Sequence, residues 1–310
     1  MAGSPSTLPS ALRAAVEETL SSRAKRSVEI LGAEPVTGGC IHQTARVWTN
    51  LPEDFFLKWA QGPPSDVFAA EADGLNALRG STRDSAGLTV PEVVGYSDAE
   101  AKPAWLLLEY IPRGSPGRDY AERLGEALAV LHETGQGRYG WPRSNYIGSL
   151  PQANTPMNDW AAFWWSERLE PQLVMASGNG WLAGLEREWA TLELELPGLL
   201  GAAEEDGPSV LHGDLWSGNV YPGPDGGPVL VDPAVYRGHG EVDLAMTELF
   251  GGFPRGFYSA YEGRRPLRDG YEDVRRHVYQ LYPLLVHVNL FGDGYVNGAV
   301  AALRCALASR

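Results

Sequence analysis

The run Val210-Leu211-His212-Gly213-Asp214-Leu215-Trp216-Ser217-Gly218-Asn219-Val220 constrains this chain more than any other stretch. Its apolar ends, Val210, Leu211, Val220 and Tyr221, have the character of short buried strands. Between them stand His212, Asp214 and Asn219, too polar for a core unless each finds a partner. Asp214 and Asn219 are five positions apart, and Asp232 closes the apolar run Val229-Leu230-Val231 thirteen positions after Asn219. That interval suits a hairpin that returns a second carboxylate to the first polar group. The alternative for the same residues is a solvated hairpin with an Asx-turn at each acid.

An aspartate and an asparagine at this spacing are what phosphoryl-transferring kinases use in their catalytic loop. There the aspartate takes the proton of the attacking hydroxyl and the asparagine holds magnesium. Asp214 is thus the candidate base, Asn219 and Asp232 the candidate magnesium ligands, and ATP the candidate donor. Gly38 and Gly39, followed by Cys40, lie between two apolar stretches, as in a hairpin. That hairpin is either a plain turn or a close approach of backbone to phosphate, and it is neither a Walker A sequence nor a G-x-G-x-x-G. Lys58 interrupts the apolar strand 55–60, so it either snorkels from an edge strand or is paired. Ser65 reads as the N-cap of a helix reaching Arg79, and on that helix Glu71 is the carboxylate best placed to meet Lys58.

Strands are expected at 25–31, 89–95 and 104–111, after a short first helix at 10–21. The last strand runs into Pro112-Arg113-Gly114-Ser115-Pro116-Gly117, a linker candidate, which puts the backbone of Glu109, Tyr110 and Ile111 where an adenine ring would lie. Beyond it the pattern is helical at 120–133, 158–173, 180–200, 241–249, 256–261, 270–291 and 296–307. The plan is an α+β chain: a small sheet-rich lobe over 1–111 and a larger, mainly helical lobe over 112–310. His132 reads as structural, and the cluster Trp160, Phe163, Trp164 and Trp165 as core.

Charge narrows the partners. A net charge of −14 over 310 residues argues against nucleic acid and anionic membrane surfaces. A bound polyphosphate must then be met by backbone N–H groups, a few basic side chains and divalent metal. Two cysteines, Cys40 and Cys305, fit a reducing compartment, and no apolar run is long enough for a signal peptide or a membrane span, so a cytoplasmic monomer is expected. A thiolate at Cys40, among oriented backbone amides, would be oxidisable and open a redox-linked dimer.

Taken together, LHGDLWSGNV, VDPAVY at 231–236, DLAMTELFGGF at 243–253 and YQLYPLLVHVNLFGDGY at 279–295 resemble the fructosamine/ketosamine-3-kinase family. TGGCI at 37–41 and NYIGSLPQ at 145–152, followed by NDW at 158–160, extend the likeness from about residue 25 to the C-terminus. The family lies within the protein-kinase-like fold shared with aminoglycoside phosphotransferases and choline kinases. The resemblance implies a bilobal kinase-like fold with an antiparallel N-terminal sheet, and ATP-dependent phosphorylation of the 3-hydroxyl of a sugar joined to an amine as a ketosamine. The product of that reaction breaks down and frees the amine, which is deglycation. It further implies that Lys58 and Glu71 orient phosphate, that Trp216 walls the sugar pocket, and that His287 and Asn289 add polar contacts; a core histidine and a capping asparagine are the alternatives for the last two. Pro283, Val286, Arg237 and Gly240 depart from the family pattern, with Pro283 expected to kink or start a helix. A phosphotransferase of this fold acting on an aminoglycoside or choline, and a non-catalytic ATP-binding pseudokinase, stand as the other readings.

Overall fold

Leu12, Val16 and Leu20 recur at helical spacing, and all three are buried on one face of α1 (Ser10–Ala24). That face covers one side of an antiparallel sheet built from β1 (Ile30–Pro35), β2 (Gln43–Thr49), β3 (Phe55–Ala60), β4 (Val93–Tyr96) and β5 (Ala104–Glu109). The strand order is β1-β2-β3-β5-β4, and α2 (Val67–Ser81) crosses between β3 and β4. The computed structural model describes residues 8–36, 42–64, 66–82, 87–98, 100–133 and 136–308. Gly38, Gly39 and Cys40, and the expected N-cap Ser65, lie outside the described residues.

The strand period decides the geometry of the first lobe. Phe55, Leu57 and Trp59 point into the cluster under α1, so Phe56, Lys58 and Ala60 point the other way, toward α2 and the second lobe. Because β3 lies between β2 and β5, Lys58 is on an interior strand and the edge-strand alternative falls. Three boundaries differ from expectation. The first strand begins at Ile30 rather than residue 25, because α1 continues to Ala24 and ends on Lys25 in the left-handed region (φ 54°). The fourth begins at Val93, since Thr89 instead bridges Val229 of the second lobe. The fifth ends at Glu109.

The second lobe opens with α3 (Tyr120–Glu133) and the small hairpin of β6 (Asn145–Ile147) and β7 (Leu150–Gln152). The expected helix at 158–173 runs longer, as α4 (Trp160–Phe163), a π-helical stretch (Trp164–Leu169) and α5 (Glu170–Gly178). Next come α6 (Glu186–Leu199), α7 (Ala202–Asp206) and β8 (Ser209–Leu211). The hairpin β9 (Val220–Pro222) and β10 (Pro228–Leu230) follows, then β11 (Tyr236–Gly238), which pairs with β8. The chain closes with α8 (Glu241–Leu249), α9 (Arg255–Arg264), a π-helical turn (Tyr271–Arg275), α10 (Arg276–Phe291) and α11 (Val296–Ala308). Pro283 neither starts nor ends α10; the helix passes through it, with Pro283 and Val286 in the core. Trp160, Phe163 and Trp164 are fully buried beside Tyr236, Tyr279 and Tyr282, as expected of a core cluster, while Trp165 is half-buried at its edge. Among the described residues no helix is long and apolar enough to cross a membrane.

Two charges inside this lobe are matched closely. Arg275 donates to both oxygens of Glu241 at 2.6 Å, and the two side chains are only 4% and 3% exposed. Removing one partner strands the other charge in a medium that cannot solvate it. Glu241→Ala is therefore expected to lower unfolding free energy by about 3–5 kcal/mol in urea titrations. The double replacement Glu241→Leu with Arg275→Met should be less damaging than that single change; an equal or greater loss would mean that the pair is not what holds this region.

Candidate active site

The loop between β8 and β9 is held from beneath by one carboxylate. Asp243, in the first turn of α8 and fully buried, accepts the backbone N–H of His212 at 2.7 Å and of Gly213 at 2.9 Å. Its Oδ2 also accepts Nε2–H of His132 at 3.2 Å, while Nδ1 of His132 meets the Tyr261 hydroxyl at 2.8 Å. Burial holds His132 below the usual imidazole range, so the ring is neutral and one tautomer satisfies both bonds. His132 is structural, as its position in an apolar helix indicated. Gly213 has φ +80°, and a Cβ there would stand 2.1 Å from the Ala234 carbonyl oxygen, so only glycine fits the turn. His212, also neutral through burial, accepts the Asp214 N–H at Nδ1 (3.3 Å) and donates from Nε2 to the Val231 carbonyl (3.0 Å). One imidazole thereby ties the start of the loop to the strand that ends in Asp232.

Asp214, Asn219 and Asp232 converge. Asn219 Nδ2 donates to the Asp214 carbonyl at 2.9 Å, to Asp214 Oδ2 at 3.1 Å and to the Asp232 carbonyl at 3.4 Å. Asp232 has φ 55°, a left-handed conformation that a non-glycine residue adopts only when its surroundings impose it. Lys58 reaches in from β3, donating to Glu71 Oε1 at 2.6 Å and also to Asp232 Oδ1. The expected Lys58–Glu71 pair is formed, and the second partner is an addition. Burial opposes the lysine's charge, but Asp232 and Glu71 outweigh it and hold the ammonium well above its ordinary range. Burial likewise disfavours the Asp232 carboxylate, yet Lys58 keeps it charged and below the usual range. Glu71, buried beside the same lysine, is pushed upward by burial. Asp214 is pushed up to about 7 by burial, with the nearby charges of Asp232 and Asp243 adding to the effect.

The chain leaves the sheet along this hairpin. Tyr110 N–H donates to the Asp54 carbonyl at 3.3 Å, the Tyr221 hydroxyl donates to the Ile111 carbonyl at 3.1 Å, and Gly114 N–H donates to the Pro222 carbonyl at 2.8 Å. The Arg113 guanidinium lies 4.5 Å from the centre of the Tyr221 ring. Glu109 points outward, its carboxylate accepting the Glu92 N–H at 3.1 Å. Two residues that sequence reasoning passed over belong to the site's surroundings. Asp243 had a visible signal, an acid inside the apolar helical run EVDLAMTEL. His42, three residues after the glycine pair, rests its ring on Phe68 at 4.9 Å and lies within the electrostatic reach of Lys58 and Asp232.

Beyond Asp214 the surface is aromatic. Trp216 is 38% exposed and meets Phe250 edge-on at 6.5 Å; Phe250 lies 4.6 Å from His287, which in turn contacts Tyr295 at 4.8 Å. His287 donates from Nδ1 to the Pro283 carbonyl at 2.7 Å, and burial keeps the ring neutral. Asn289 does not join this wall. Its amide donates to the Gln172 carbonyl at 3.0 Å and to Gln172 Oε1 at 2.8 Å, tying α10 to α5. Elsewhere Asp206, His239 and Glu241 lie within 4.8 Å of one another, but Arg268 and Arg275 already neutralise the two carboxylates, so the group is an ion-pair network.

Comparison with known proteins agrees with this geometry. The family model described as fructosamine kinase matches residues 12–309. A Synechocystis protein assigned as a ketoamine kinase is 39% identical over 270 residues, covering 87% of this chain and 88% of its own. The chloroplastic protein-ribulosamine 3-kinase of Arabidopsis thaliana is 34% identical over 280 residues, covering 90% and 83%. A solved structure from Thermobifida fusca assigned as a fructosamine-3-kinase superposes with a TM-score of 0.80 at 34% identity, covering 90% of this chain and 94% of that one. An aminoglycoside phosphotransferase, at 14% identity and a TM-score of 0.59, covering 94% and 97%, shares the fold alone, which is protein-kinase-like. With a converging Lys58, Glu71, Asp214, Asn219 and Asp232 and a family match along almost its whole length, this chain belongs to the fructosamine kinase family.

Proposed function

We propose that this protein transfers the terminal phosphoryl group of ATP to the 3-hydroxyl of a ketosamine, a sugar bound to an amine of the fructosamine or ribulosamine type, as a step in deglycation. The observation that carries the reading is the convergence of Asp214, Asn219 and Asp232 with the Lys58–Glu71 pair in a member of the fructosamine kinase family. Solved neighbours of the same fold hold AMP-PNP with hygromycin B, or ADP with hygromycin B, a nucleotide and an alcohol acceptor together. We place the hinge at Ile111, with lobes 1–111 and 112–310. The backbone of Glu109, Tyr110 and Ile111 is the proposed adenine contact, and Gly38, Gly39 and Cys40 the proposed phosphate loop.

Phosphoryl transfer depends on positioning and charge neutralisation. Asp214, fixed through Asn219 and His212, orients the acceptor hydroxyl and takes its proton late in the transfer, when the oxygen has become acidic. Lys58 supplies a fixed positive charge to the phosphates. The donors around Asp232 and Asn219 are hard oxygens, and Asn219 Nδ2 is committed to Asp214, which leaves Oδ1 for a cation. These residues fit magnesium, which Asn219 and Asp232 would hold; when bound it neutralises charge on the phosphates. Trp216 presents an indole face on which the C–H face of a sugar packs, and His287 offers Nε2 as a hydrogen-bond acceptor from the same wall. A cytoplasmic site of action fits the bacterial ketoamine kinases among its relatives.

Asp214→Asn is expected to abolish phosphate transfer to fructosyl- and ribulosyl-lysine while ATP still binds. A panel of these ketosamines, an aminoglycoside and choline, read by mass gain, tests the acceptor class; transfer to choline or the aminoglycoside alone would overturn it. Trp216→Ala should raise the KM for the ketosamine by about tenfold, the scale of one lost stacking contact, with little change in the KM for ATP.

Asp214 carries a second expectation. Its carboxyl is raised from 3.8 to about 7 in the fold, so the folded state binds the proton more tightly. The associated stability is complete below about pH 4 and is lost as the pH rises through about 7. In protein free of nucleotide and metal, the Tm advantage of Asp214→Asn over the wild type should therefore grow between about pH 4 and about pH 7 and then level off. A difference that stays flat with pH would show that Asp214 titrates normally.

A further inference from the structure

Lys58 is shared by Glu71 on α2 and Asp232 at the end of the catalytic hairpin, and these two carboxylates come from different lobes. Their separation must be set by whatever fixes α2 against the segment after Asp232. Asp66, at the N-cap of α2, makes no capping bond to its own helix. Its carboxylate instead accepts the Tyr146 hydroxyl at 2.5 Å and the Arg143 guanidinium at 2.9 Å, across 80 and 77 residues of sequence. An N-cap aspartate ordinarily accepts an N–H of its own first turn, so this one is diverted to the other lobe. Two turns along α2, Asp73 accepts the Trp141 indole N–H at 2.7 Å, and the Arg237 guanidinium covers that indole at 4.7 Å.

The same segment holds the other carboxylate. Asn145 donates to the Val235 carbonyl at 2.8 Å and Gln152 to the Ala234 carbonyl at 3.2 Å, so the β6–β7 hairpin is bonded to the chain just past Asp232. Gly74 of α2 packs directly on that chain, since a Cβ there would lie 3.2 Å from Val235. We propose that residues 139–154 are the positioning element of the active site, gripping α2 through Asp66 and Asp73 and the post-Asp232 chain through Asn145 and Gln152, so that Glu71 and Asp232 are set to share Lys58. The inference rests on Lys58 and Glu71 being the phosphate-orienting pair. Tyr146, Arg143 and Trp141 are positioning residues, since none of them contacts Lys58.

The test is a kinetic cycle on the full-length protein, with a ketosamine acceptor and ATP. Tyr146→Phe, which removes one hydroxyl, and Asp66→Ala combined with Asp73→Ala should lower kcat, the latter by about tenfold or more, the order a small misplacement costs. In a Glu71→Gln background the same changes should have little further effect, because the group they position is already gone. A loss of the same size in both backgrounds, or normal turnover in the tether variants, overturns the inference. Turnover retained by both Lys58→Met and Glu71→Gln removes the pair assignment and the inference with it, an outcome distinct from the first two. Thermal melts of Tyr146→Phe identify any loss that is merely global: a kcat that falls only in proportion to the folded fraction also counts against it.

Discussion

One buried ammonium organises this molecule. Lys58 stands on an interior strand with its charge turned toward the second lobe, and burial of an unpaired ammonium there would cost several kcal/mol. Two carboxylates remove that cost, one from a helix that travels with the sheet and one from the end of the catalytic hairpin. The bond to Glu71 is local to the first lobe, whereas the bond to Asp232 fastens that lobe to the second. Charge pairing inside the protein and alignment of the two halves of the site are thus the same interaction. Asp232's left-handed backbone belongs to this arrangement, because a conformation that is unfavourable alone persists where the surroundings over-determine it.

Beneath that bond lies a second layer that never meets substrate. Asp243 gathers two loop N–H groups and one imidazole, and His212 links the loop to the strand ending in Asp232. Buried donors of this kind have no partner in water once the lobe has closed, so the loop has one low-energy shape. Asp214 is held in a place that is poor for a carboxylate, and its raised affinity for a proton expresses that cost. In the proposed reaction, a base that gains little from staying ionised takes the acceptor's proton more readily.

The parts legible in the sequence were those with local signals. Asp214, Asn219 and Asp232 announced themselves as polar residues where apolar strands demanded a reason, and Lys58 did so inside its own strand. Helices whose apolar residues repeat cleanly, such as α3 and α8, were bounded correctly. What escaped were contacts between residues far apart in sequence. Thr89 was assigned to a strand because its neighbours are β-formers, yet it bridges to Val229. Asn289 lies two residues from His287 on α10 and so turns to another face of the helix, toward Gln172. The grip of Asp66 on Tyr146 and Arg143 has no local signature; the sequence offers Ser65 as the cap of α2, and only the fold reveals where Asp66 is used.

The separation of these layers has a consequence for how such a chain can change. Lys58, Glu71, Asp214, Asn219 and Asp232 are linked to one another through hydrogen bonds, so altering any one disturbs its neighbours. The aromatic wall of Trp216, Phe250, His287 and Tyr295 is joined to that network through the loop that carries Trp216. Its side chains are neutral, His287 being tied to the Pro283 carbonyl, and they can be exchanged without stranding a buried charge. Of the departures from the family pattern, Val286 and Pro283 lie in the core of the helical lobe and Arg237 covers Trp141, so these three stand outside the wall. The polar residues of the site therefore form one cooperative network, while the wall of rings beside it can be reshaped one side chain at a time.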